Sequence, residues 1–294
     1  MNANVGPHPN TELLDIMVGL LGDLAADLVF VGGCATELLV TATRAQSVRV
    51  TTDVDVVAEA TTIREYHILE ARLREKGFAP DPEVICRWTI AGMQLDLLPS
   101  GPDVLSFHNR WYPQAVQTAV PRQLPSGRTI RVLTSPLFLA TKMEAFLDRG
   151  QGDFLASHDL EDIITVVDGR PELTDELAAA SPEIREYLRS RFADLIRQDA
   201  FITALPGHLP GDVASQARLQ NRHNLCLPTF RLNDEHGPAL ERCAAVLEVV
   251  MPVVSSLDST QLVAKASFGH FAANAERGEM RACGPAQVVK REVP

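Results

Sequence analysis

The sequence is short of positive charge, short of cysteine, and lacks any long unbroken apolar run. It carries 27 Lys and Arg against 38 Asp and Glu, a formal net charge of −11. A chain this acidic does not coat nucleic acid by bulk charge, so a nucleic-acid substrate would need a local basic groove or a metal-filled site. The deficit is uneven: residues 1–212 hold 18 Lys and Arg against 30 Asp and Glu, and residues 213–294 hold 9 against 8. The five cysteines, Cys34, Cys86, Cys226, Cys243 and Cys283, are odd in number, scattered and never spaced C-x-x-C. That argues against a disulfide framework or a zinc site and suits a reducing cytoplasm. The apolar stretch 13–31 is interrupted by Asp15, Asp23 and Asp27, and the first basic residue is Arg44. A signal peptide needs a basic start and an unbroken apolar core. The expectation is a cytoplasmic protein without a membrane partner. Internal repeats and low-complexity tracts are also missing.

What is there reads as an ordinary globular chain: 294 residues, 46% hydrophobic and 22% charged, with a mean hydropathy of +0.00. That is enough chain for a sizeable core and two domains. Residues 11–26 are amphipathic with helical spacing, and Asn10 or Thr11 is the expected cap. Residues 28–31 read as a short strand ending at Gly32-Gly33, and residues 34–43 return to helix composition. Residues 53–58 alternate and are rich in valine, which predicts a strand. A charged helix is expected over 63–76, closed by Gly77. A hairpin is expected from 84–90 and 93–98 around Ala91-Gly92, and a further strand over 128–133. From Ser135-Pro136 the pattern turns helical, with helices expected to about 148, over 157–167 and over 182–198. The expected organisation is an α/β core over 1–134, a helical part of the same catalytic unit over 135–212, and a C-terminal extension over 213–294 with a helical run at 238–250.

Chemistry gathers at three places. Residues i and i+2 of a strand point the same way, so Asp53 and Asp55 project from one face. Two carboxylates so close repel unless a cation lies between them, and oxygen-only ligands select a hard ion such as Mg²⁺. Gly32-Gly33 opens a helix, where backbone N–H groups receive a phosphate and glycine permits close approach. Phosphate cradle and metal clasp together suit a nucleoside triphosphate. Asp96 lies mid-strand between leucines, a costly place for an unpaired carboxylate unless it shares the metal.

G-G, then D-x-D on a strand, then a lone acid on a later strand resembles the nucleotidyltransferase fold of the DNA polymerase β superfamily. Within it, R-V-T-T-D-V-D, residues 49–55, resembles the R-x-T-x-D-x-D block of the AbiEii toxin-type nucleotidyltransferases. K-M-E-A-F-L-D-R-G-Q-G-D-F-L-A-S-H-D-L-E-D-I, residues 142–163, resembles that family's later block, a lysine-led helix followed by D-x-x-D. The resemblance spans about residues 10–212. It implies an α+β fold, a mixed sheet with flanking helices followed by a helical region. It also implies Mg²⁺ as cofactor, an NTP as co-substrate, and transfer of a nucleoside monophosphate to a hydroxyl or phosphate acceptor. The implied acceptor is RNA such as tRNA ends, with a cognate antitoxin protein as partner. Carried onto this chain, Gly32, Gly33 and Arg49 serve the nucleotide, Asp53 and Asp55 the metal, and Asp96 is the third acid. Lys142 faces the triphosphate and Asp159 is the acid of the later motif. Two departures stand out: the span from Gly33 to Asp53 is longer than in compact superfamily members, and His158 replaces a basic residue before Asp159.

Other readings stay open at this stage. A small-molecule transferase of the aminoglycoside-modifying kind uses the same fold, and an acidic cleft suits a cationic drug. A catalytically silent nucleotide-binding module is the third. Gly-Gly alone is a turn, Asp53 and Asp55 after Thr51-Thr52 are a solvated strand start, and Lys142 is a solvated lysine. His158-Asp159 is an HD-phosphohydrolase dipeptide, though the remaining ligands of such a site are not apparent. Arg149 is expected to pair with Asp148 or Asp153.

Overall fold

The computed structural model describes residues 7–42, 48–150 and 152–209. The extension expected over 213–294, its helical run at 238–250, and Arg44 lie outside these residues. The first helix, α1 (Pro9–Leu21), is capped by His8, whose ring accepts from the Asn10 backbone N–H. Neither Asn10 nor Thr11 is the cap, as the spacing had suggested. Both are buried, and the Asn10 side chain bonds the Arg49 carbonyl and the Thr51 N–H at 2.8 and 3.0 Å. Asn10 thus holds the approach to the second strand.

After a 3-10 turn at Gly22–Asp27 come β1 (Leu28–Val31), α2 (Gly32–Leu39) and β2 (Asp53–Ala58). Helix α3 (Ile63–Glu75) opens with a reciprocal capping box between Thr62 and Glu65 and ends before Gly77, at φ 88°. Next come β3 (Ala79–Pro80), β4 (Arg87–Ile90) and β5 (Met93–Pro99). The turn between the last two places Ala91 and Gly92 at φ 49° and 79°, the two positive φ values of a tight hairpin. Then follow α4 (Tyr112–Thr118), β6 (Val120–Gln123) and β7 (Thr129–Val132). From there the described chain is helical: α5 (Ser135–Arg149), α6 (His158–Gly169), α7 (Leu173–Ala179), α8 (Pro182–Ile196) and α9 (Asp199–Ala204).

The strands form one mixed seven-stranded sheet in the order β3-β4-β5-β2-β1-β7-β6. With its flanking helices and the helical region after it, the fold is α+β. The all-apolar β1 is fully buried between β2, which runs antiparallel to it, and β7, which runs parallel. Strand β2 pairs in parallel with β5. Val54 and Val56 are wholly buried on one face of β2, which leaves its two aspartates on the other. Tyr66 of α3 donates to the Leu97 carbonyl at 2.9 Å, tying that helix to β5. Helix α2 packs on β2, α5 and α6, so the glycine turn, the strand acids and the later helices share one side of the molecule. Among the described residues no helix is long and apolar enough to cross a membrane.

Candidate active site

Strand register builds the first half of the site. Asp55 lies opposite Asp96 in the parallel β2–β5 pair, and Asp96 lies opposite Arg87 in the antiparallel β4–β5 pair. Partners across a ladder share a face, so Asp55, Asp96 and Arg87 form a row, with Asp53 one pleat further along. Arg87 clasps Asp96 with two hydrogen bonds of 2.8 Å and reaches Asp53 with the same outer nitrogen at 3.4 Å. These bonds raise the Arg87 pKa further. The cost of a carboxylate among leucines at Asp96, expected to be met by a metal, is met by this guanidinium. Asp53 also accepts a hydrogen bond from Thr51 Oγ1, so it is not a merely solvated strand start. The signal for Arg87 lies in the expected hairpin, whose two-residue turn at Ala91-Gly92 sets it opposite Asp96. The importance of Arg87 follows from that cross-strand pairing alone.

Asp55 is the exception in this row. Among the described residues its carboxylate has no hydrogen-bond or ion-pair partner. Burial first, then the negative charge of Asp53, push its pKa up to about 7 against the pull of Lys142. Its carboxylate lies against the glycine turn: a Cβ on Gly32 would come within 1.8 Å of Asp55 Oδ2, and Gly32 adopts φ 68°. Gly33 makes room differently, since a Cβ there would meet Arg49 Nη2 at 2.8 Å. The cap position of α2, Val31, supplies no side-chain acceptor. The first-turn amides of α2 are therefore left for another partner.

The second half joins α5 and α6. Lys142 is buried at 7% exposure and lies 3.1 Å from Asp159 and 2.7 Å from Asp162. Burial would lower its pKa, but the two carboxylates outweigh this and raise it. Arg149 holds Asp159 by two bonds of 2.9 Å, not Asp148 or Asp153 as expected. Burial alone would raise the Asp159 pKa, but the Arg149 bonds and the Lys142 charge hold it below the ordinary value. Arg49 completes the network at 3.7 Å from Glu161 and 3.5 Å from Asp162. Lys142 is therefore not a solvated lysine. It is a fixed charge within a buried cluster, and it acts on Asp55 through space. Asp162, the second acid of D-x-x-D, belongs to the cluster as fully as Asp159. Helix α4 packs on β2 and α5, and burial and the Asp55 charge raise the pKa of its Tyr112.

Among the described residues no group of three or more His, Cys, Asp or Glu side chains converges to hold a metal ion. The donors nevertheless fit a hard ion that takes only one or two carboxylates and fills its shell with water and substrate phosphate. Asp55, repelled by Asp53 and without a partner among the described residues, is the group that such an ion would relieve.

No protein-family model matches the chain, and no curated protein matches it. Solved structures similar to it include the antibiotic-resistance factor ANT(2'')-Ia in solution, at 15% identity and a TM-score of 0.41, over 64% of this chain and 95% of that one. ANT(2'')-Ia in complex with adenylyl-2''-tobramycin gives 14% identity and 0.39, over 63% and 97%. A tRNA nucleotidyltransferase complexed with a primer tRNA and an incoming ATP analog gives 15% identity and 0.22, over 92% and 87%.

Proposed function

We propose that the chain is a magnesium-dependent nucleotidyltransferase that moves a nucleoside monophosphate from an NTP to a hydroxyl or phosphate acceptor. The observation that carries this reading is the packing of Asp55, raised in pKa to about 7, against Gly32 at the mouth of α2. A carboxylate without a partner among the described residues and an uncapped helix start meet at one point, one inviting a cation and the other a phosphate. Asp53 and Asp55 would hold the ion, which supplies charge neutralisation on the triphosphate and activation of the acceptor oxygen. The N–H groups of Gly32 and Gly33 bind phosphate. Arg149, anchored on Asp159 with a side chain 69% exposed, is the cation placed to face the nucleotide's outer phosphates. Lys142 fixes the α6 carboxylates and supports ionisation of Asp55.

The acceptor follows from charge. Arg87, Arg49, Lys142 and Arg149 reach the site, and each is already paired with carboxylates. That favours a compact acceptor carrying amines and hydroxyls over an RNA backbone, which needs free cations. The toxin-like reading, with tRNA as acceptor and an antitoxin partner, rests on the motif resemblance and is the second. Incubation with each labelled NTP and Mg²⁺, in parallel with total RNA and with an aminocyclitol panel, separates them. Label is expected in the amine-bearing compounds, is lost with chelator, and is lost in Asp53→Asn. Label only in RNA supports the second reading. Nucleotide binding without any product supports a silent module.

A further inference from the structure

We infer that Arg87 is the site's resident counter-cation, with which a divalent ion competes for the charge of Asp53. The inference rests on the metal reading above and concerns what sets the affinity of that site. Arg87 holds two acids unequally. Its grip on Asp96 is bidentate, at 2.8 Å for both bonds, and the Asp96 side chain is only 12% exposed. Its reach to Asp53 is a single contact at 3.4 Å, and that side chain is 32% exposed. Short bidentate bonds away from water are the strong ones, and a long, wetter contact is weak. Of the two, the Asp53 contact is therefore the one that an arriving ion would weaken, while the Asp96 clasp would stay intact.

The exchange is local. Asp53 has one oxygen engaged by Thr51 and the other by Arg87, and each keeps a second lone pair for an ion, so what opposes the ion on the Arg87 side is the guanidinium charge beside that oxygen. Asp55 gives up no hydrogen bond within the described residues. Asp96, tethered by both oxygens, acts as the post that keeps Arg87 beside Asp53. Arg87 is thus a positioning residue, and the charge it leaves near the ion opposes binding. A doubly charged ion held by Asp53 and Asp55 would overcome this opposition better than a single charge would.

The test is Mn²⁺ binding to the full-length protein, without nucleotide, by calorimetry at mildly alkaline pH and low salt. Removing a unit charge a few ångströms from a divalent ion is expected, even with the screening of bulk water, to tighten binding roughly tenfold or more in Arg87→Gln. Arg87→Lys, with one point charge and no fork, falls between. Arg87→Gln leaves Asp96 unpaired, so Arg87→Gln/Asp96→Asn is measured beside it, with circular dichroism and thermal unfolding confirming that each variant folds. The double variant is expected to keep the tighter binding. Binding within about twofold of wild type, or weaker, in both variants overturns the inference while leaving the metal site intact. Wild-type protein that binds no Mn²⁺, or binds it equally well as Asp53→Asn, overturns the metal reading and this inference with it.

Discussion

Asp55 bears burial and the Asp53 charge together, and its stability signature follows from that. Its folded pKa of about 7 lies well above the roughly 3.9 of an unfolded aspartate. Between these values the folded state binds more protons than the unfolded chain, so metal-free stability falls as pH rises through the window. Asp55→Asn removes the titrating group. Its thermal midpoint in chelator should lie near wild type at about pH 4, rise progressively above it between about pH 4 and 7, and hold a constant lead above that. A Tm difference that stays flat with pH would mean that Asp55 is compensated by a partner. Gly32 tests the same contact from the other side. Gly32→Ala meets both the backbone penalty at φ 68° and a Cβ 1.8 Å from Asp55 Oδ2, and should lose more than about 1 kcal/mol in urea unfolding. Gly92→Ala is the control, since Gly92 shares a positive φ of 79° but has open space around it. Equal losses in the two variants would show that Asp55 simply moves aside.

Helices α5 and α6 are locked by a buried network, and there the expectation for Lys142 changes character. Read from sequence it faces phosphate; in the fold it neutralises Asp159 and Asp162. Lys142→Met leaves two buried acids short of a cation, an error of about 3–5 kcal/mol, readable as a lower midpoint in guanidinium unfolding. Lys142→Met/Asp159→Asn/Asp162→Asn should recover most of that. A Lys142→Met protein with native stability and a raised KM for NTP would return Lys142 to the phosphate role. The contrast marks what was legible. Strands β1 and β2 fall where alternation and the flanking glycines place them, and the β4–β5 hairpin sits on Ala91-Gly92, because those signals are local. Helix α4 and strand β6 carry no such signal, being short and holding Pro113 and Pro121. Arg87 against Asp96 follows from the register that the Ala91-Gly92 turn gives the expected hairpin, whereas Arg149 against Asp159 depends on how two helices lie together, which no spacing within one segment encodes.

At the scale of the whole molecule the deciding quantity is the distribution of charge. Residues 1–212 carry 30 acids against 18 bases, and the cations at the site are spent on neighbouring carboxylates. Proteins that hold nucleic acid by charge alone reach dissociation constants of about 10⁻⁴–10⁻⁶ M at physiological salt, because free Lys and Arg displace condensed counterions. The described site lacks that means, so a labelled single-stranded RNA of arbitrary sequence should bind there more weakly than about 10⁻⁴ M in fluorescence anisotropy. The acidic site should instead attract a compact polyamine acceptor. As added salt screens that attraction over a Debye length of about 8 Å, KM for the acceptor should rise while kcat holds, since screening weakens encounter more than chemistry inside the site. The two measurements point in opposite directions if the acceptor is RNA. Micromolar RNA binding with a steep loss on raising salt would mean that bases elsewhere, including the nine of residues 213–294, form the basic surface that the described site lacks. The acceptor would then be chosen by that surface rather than by the acids around Asp55.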